Sequence, residues 1–132
     1  MITRRALLAL WLASVLVTTG CQPRLEVSLA SSDELLPQPR FEVRDPYRPA
    51  ERPLYNTIKV LDASGRVIWH LRAEPFGEQA SVAGFTYGEA PRGFSVVVAP
   101  DRLEPGREYT LRVIGKAYGS LRFRVDAGGR LQ

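Results

Sequence analysis

The chain has one histidine and one cysteine in 132 residues, and these two shortages narrow its chemistry. Zinc and other transition-metal centres draw on several Cys and His ligands, so no metal site is expected. A Ser-His-Asp arrangement would have to use His70, which period-two alternation places on a wet face with Ile68 and Arg72. A lone cysteine makes no intramolecular disulfide, so the core must hold without staples. A Gly-rich phosphate loop is lacking as well, since Asp126-Ala-Gly-Gly129 opens no helical pattern. Carboxylates such as Asp33-Glu34, Asp101, Glu104 and Glu108 are scattered through turns and strand ends, and nothing singles out a pair. The expectation is a protein that is not an enzyme and carries no cofactor.

Long apolar runs are also absent, apart from the first residues. Arg4 and Arg5 precede an uncharged, mostly apolar run from Ala6 to Val17, and Thr18, Thr19 and Gly20 follow before Cys21. A basic start, a short apolar stretch and small residues at a cleavage point are the signature of an export signal. The run is too short for a bilayer, which needs about 20 apolar residues. Thr18-Thr19-Gly20-Cys21 resembles the lipobox of bacterial lipoproteins, where the cysteine is acylated and becomes the new N-terminus. The resemblance implies a signal peptide over residues 1–20 and a lipidated tether over 21–24, with a domain over 25–132. Gln22 is not the aspartate that holds such proteins at the inner membrane, which implies the periplasmic leaflet of the outer membrane.

Removing residues 1–20 leaves 112 residues, one domain in size, with 16 basic and 14 acidic side chains. That balance of +2 makes no case for nucleic-acid binding.

Beyond residue 24 no segment keeps a 3.6-residue apolar period long enough for a helix. Short blocks alternate instead: Leu25/Val27/Leu29, Phe41/Val43, Ile58/Val60, Val67/Trp69/Leu71, Phe94/Val96/Val98, Tyr109/Leu111/Val113 and Leu121/Phe123/Val125. Alternation buries one face of a strand and wets the other. About seven such strands between Gly, Pro and Asp clusters predict an all-β fold, an antiparallel β-sandwich. Asp62-Ala-Ser-Gly65 is the clearest hairpin turn.

Leu103-Glu-Pro-Gly-Arg-Glu-Tyr109-Thr-Leu-Arg-Val113 resembles the corner that enters the sixth strand of fibronectin type III and related immunoglobulin-like domains. This implies an immunoglobulin-like sandwich with the Tyr109 ring in the core and its hydroxyl on backbone a few residues upstream. Pro105 and Gly106 would supply the fixed and the permissive φ of the turn. With Tyr87-Gly-Glu-Ala-Pro-Arg-Gly93, the whole mature chain also looks like small proteobacterial lipoproteins, a resemblance that brings no activity.

Three surfaces are candidates for partner binding. Arg112 on one terminal strand, with Arg122 and Arg124 on the next, would hold phosphates or carboxylates, or else simply guard an edge against aggregation. Pro37–Pro53 contains five of the ten prolines together with Tyr47, Arg48 and Arg52. Its part after Asp45 should be extended and polyproline-like. Glu74–Gly93 is long for a loop and holds Phe76, Phe85 and Tyr87, which are either binding contacts or the buried side of a short extra strand. The leading reading is a lipid-anchored, non-enzymatic module that docks another envelope protein. The alternative is a carrier of a small apolar ligand or lipid in a cleft lined by Phe76, Phe85, Tyr87 and Trp69. A hydrolase acting on cell-wall or glycan substrates would require two converging carboxylates.

Replacing Cys21 with serine is expected to abolish palmitate incorporation and release the protein from membranes. Continued labelling of a membrane-bound Cys21→Ser protein would overturn the anchor.

Overall fold

Each alternating block forms a strand. A computed structural model describes residues 24–30, 38–75 and 78–132, so the expected signal peptide over residues 1–20, Cys21 and Phe76 lie outside the described residues. Among those described there is no helix. The strands are β1 (Glu26–Leu29), β2 (Arg40–Arg44), β3 (Leu54–Tyr55), β4 (Thr57–Asp62), β5 (Val67–Ala73), β6 (Ala80–Ser81), β7 (Gly84–Thr86), β8 (Phe94–Val98), β9 (Glu108–Ile114) and β10 (Tyr118–Arg124). Seven of them have four residues or more, and these seven are the blocks legible in the sequence. All pairings between these strands are antiparallel.

The strands make a three-stranded sheet, β1-β2-β7, and a five-stranded sheet, β10-β9-β4-β5-β8, with β3-β6 as a separate pair. The two larger sheets pack face to face as a β-sandwich. Aromatic rings join them: Phe41 of β2 lies 5.3 Å from Phe123 of β10, and Phe85 of β7 lies 6.1 Å from Trp69 of β5. Tyr87, just past β7, sits 5.0 Å from Trp69. Such pairs contribute about 0.5–1.5 kcal/mol each beyond the burial of their area. On the other flank β1 crosses β10 at Gly119, where a Cβ would collide with the Leu25 carbonyl and lie 2.8 Å from Val27 Cγ2.

The local turns follow from their residues. The Asp62 carboxylate accepts the Ser64 and Arg66 N–H groups and the Ser64 hydroxyl, and Gly65 takes φ +86°, which closes the β4–β5 hairpin. At the entry to β9, the Glu104 N–H donates to the Tyr109 hydroxyl at 2.9 Å, the ring is buried, and Gly106 has φ +78°. This is a tyrosine corner.

Three expectations need correction. Val96 and Val98 do not face a core; they are 52% and 36% exposed. The three-stranded sheet reaches only as far as β5, so β8 overhangs it and Val96 is left uncovered, while a bulge at Val97 turns Val98 to the outer face opposite His70. Ile68 is not on the wet face. Val60 pairs with Trp69 while Leu61 pairs with Val67, so Ile68 is the extra residue of a β-bulge and is buried beside Trp69. The 45–53 segment is not polyproline-like. Asp45 accepts the Tyr47 N–H on its side chain and the Arg48 N–H on its carbonyl, and Glu51 N–H returns to the Arg48 carbonyl. Pro46 and Pro49 thus occupy the second positions of successive turns, where a φ near −65° serves as well as it does in an extended chain.

A Gly119→Ala substitution should destabilise the fold by about 1–3 kcal/mol, the usual range for an overpacked contact. Trp69, the only tryptophan after residue 20, reports the transition in a denaturant titration. An unchanged midpoint would show that β1 does not depend on the missing Cβ.

Candidate functional site

The outer face of the five-stranded sheet is built by register. Lys59 of β4 stands opposite His70 of β5 on one side and Arg112 of β9 on the other, and the row continues to Ser120 on β10 and Val98 on β8. Directly opposed side chains in a sheet have Cβ atoms about 4.5–5.5 Å apart, and like charges so placed repel. Neither Lys59 nor Arg112 forms an ion pair among the described residues. The row is therefore a cationic stripe on a sheet, suited to carboxylate or phosphate groups of a partner. Half-burial, and then the charges of Lys59 and Arg72, hold His70 below the usual histidine value.

The three arginines expected to act together are split. Arg112 belongs to the stripe. Arg124 pairs in register with Glu108, and Arg122 Nε lies 3.6 Å from the Glu108 carboxylate, so that end of the face is partly neutralised. Lys59 and His70 were not legible as members, because their pairing depends on the bulge at Ile68. Counting outward from the Asp62–Gly65 turn without that extra residue sets Lys59 against Trp69.

The stripe ends at β8, where Val96, Val97 and Val98 are all substantially exposed. Val97 is an extra residue on this strand, since His70 pairs with Val98 while Leu71 pairs with Val96. Nothing in the sequence distinguishes this block from the buried ones. The width of the opposing sheet leaves Val96 uncovered, and the bulge turns Val98 to the outer face.

The 45–54 loop forms a second feature. Tyr47, Arg48, Arg52 and Leu54 line a cleft of about 360 Å³, closed on the other side by Gln79, Lys116 and Ala117. Arg48 meets Glu51 only at 3.7 Å, and Tyr47 is 70% exposed. A neighbouring cleft of about 560 Å³ runs from Arg112 past Ile114 and Lys116 to Tyr118 and Ser120.

Phe85 and Tyr87 are corrected as binding residues. Both are buried, Phe85 on the inward side of β7, and the Tyr87 hydroxyl donates to the Asp101 carbonyl. They and Trp69 fill the core and line none of the clefts described here. Among the described residues, no three His, Cys, Asp or Glu side chains converge. No family model, curated protein or solved structure matches the chain.

Because its bound proton is disfavoured in the fold, His70 stays neutral until the pH falls below the ordinary histidine value of 6.5. The unfolded chain takes up the proton first, so stability falls as the pH drops through 6.5 toward the folded pKa. A Lys59→Gln variant should raise the His70 pKa only part of the way back, since burial is the larger cause. The ring resonances of this sole histidine report it directly in an NMR titration. An unchanged pKa in Lys59→Gln would deny the coupling across the stripe.

Proposed function

We propose that the protein is a lipid-anchored envelope lipoprotein that docks another envelope protein without catalysing a reaction. The observation that carries this reading is the overhanging strand β8. Three consecutive valines are left in water there, and natural edge strands are normally guarded by charge. The bulge at Val97 and Pro100 beyond the strand limit how far the edge can propagate into aggregates, so the exposure is tolerated.

Val98 shares its row with His70, Lys59 and Arg112. The chemistry that fits this row is an apolar segment that covers the valines and carries carboxylates over the cations. The export signal and lipobox support attachment through Cys21, and Gln22 supports the outer membrane with the domain facing the periplasm. The tyrosine corner and the three-against-five sheets support the immunoglobulin-like resemblance.

In cells, a photo-crosslinking side chain at Val97 should give one discrete protein adduct, and the adduct should weaken when Val96 is changed to glutamate. A probe at Ala63, in the β4–β5 hairpin turn away from β8, should give none. If the Val97 probe yields no adduct while the protein is intact at the membrane, the docking role is lost.

A further inference from the structure

Exposed large apolar side chains are not spread evenly over the domain. Among the described residues there are seven, and three of them are the β8 valines. The other four, Tyr47, Leu54, Ile114 and Tyr118, all lie at one end of the sandwich, around the 45–54 loop and the β9–β10 hairpin. The opposite end, around the Asp62–Gly65 turn and the tyrosine corner, has none of them.

The chain enters the domain at the apolar end. Arg24 forms a bridge with Tyr118, and the Leu25 N–H donates to the Tyr118 carbonyl at 2.7 Å. Cys21 is three residues before Arg24. Whatever the intervening chain does, its Cα lies within roughly 11 Å of the Arg24 Cα, because a residue spans at most about 3.6 Å. The headgroup layer that an acylated Cys21 occupies is itself only roughly 5–8 Å thick. An anchor this short holds the Tyr118 end at the bilayer surface and leaves the far end no comparable access.

Charge alone does not separate the two ends, since among the described residues unpaired cations stand at both and Asp45 and Glu51 line the cleft at the anchored one. Arg24, Arg52 and Lys116 at the anchored end form no ion pair among the described residues. At the far end Arg66 is shared between Asp62 and Asp101, and Arg107 is held by Glu104, with Arg102 and Arg130 left over. Tyrosines with aliphatic neighbours and unpaired cations are the side chains that settle at a headgroup interface.

We infer that this end of the sandwich, centred on Tyr47, Leu54, Lys116 and Tyr118, is a docking surface for phospholipid headgroups. It stands the strands upright on the membrane. The inference rests on acylation of Cys21. It goes beyond the docking role of β8, whose strand lies on the opposite edge of the sheet from β10.

The test uses the acylated protein in vesicles of phosphatidylcholine with phosphatidylglycerol. A nitroxide is attached at a single reactive thiol introduced by Tyr47→Cys, Lys116→Cys or, at the far end, Ser64→Cys, with Cys21 blocked by its lipid. The expected result is a severalfold loss of collisions with a water-soluble relaxant at positions 47 and 116 relative to 64. Equal collision rates at all three positions, with acyl mass present on Cys21, overturn the docking surface and leave the anchor standing. An intact mass without acyl chains overturns the anchor and the docking with it. Shielding of 47 and 116 that persists without vesicles, in a Cys21→Ala background, identifies a second copy as the occupant and overturns the lipid assignment.

Discussion

Ring contacts between the two sheets, Phe41 on Phe123 and Phe85 on Trp69, hold the sandwich together without a disulfide and decide which strands are covered. Three strands spaced about 4.8 Å apart span too little width to shield five. Because β1 sits on β10 and β7 sits on β5, the shortfall is collected at one side and falls on β8. The exposure of Val96 follows from that placement, and the bulge at Val97 adds Val98 to the outer row beside His70.

The molecule thereby has two distinct faces toward its surroundings. The end where the chain enters combines exposed tyrosines, Leu54, Ile114 and unpaired cations. The β8 edge combines valines with a stripe of opposed cations whose mutual repulsion a partner's carboxylates would relieve. In the proposed orientation these do not compete, since β8 stands upright beside the membrane and meets proteins that diffuse in the same plane.

The strands were legible because alternation is a local property, and every long block in the sequence became a strand. The tyrosine corner was legible for the same reason, its parts lying within six residues of one another, from Glu104 to Tyr109. What escaped the sequence was set between strands. The burial of Ile68 and the pairing of Lys59 with His70 both hang on one inserted residue, and such a bulge leaves no signature in composition. Phe94, Val96 and Val98 read like any core block, yet only Phe94 is covered, packing on Tyr55 at 5.7 Å. The loop prolines were recognised, but a fixed φ is common to turns and extended chain, so their presence alone did not choose between the two.

The overhang also links occupancy to lifetime. A partner that covers Val96 on the inner side of β8 stands where the smaller sheet lacks a fourth strand, and its residues would become part of the core. Any ligand that binds only the folded state stabilises it, by about 2.7 kcal/mol at a hundredfold excess over Kd. Under the proposed docking, the domain without its partner would be the less stable of two forms and the better substrate for proteases. Under that docking, its abundance would be set by the supply of the protein that completes it, a form of stoichiometric control that needs no dedicated regulator.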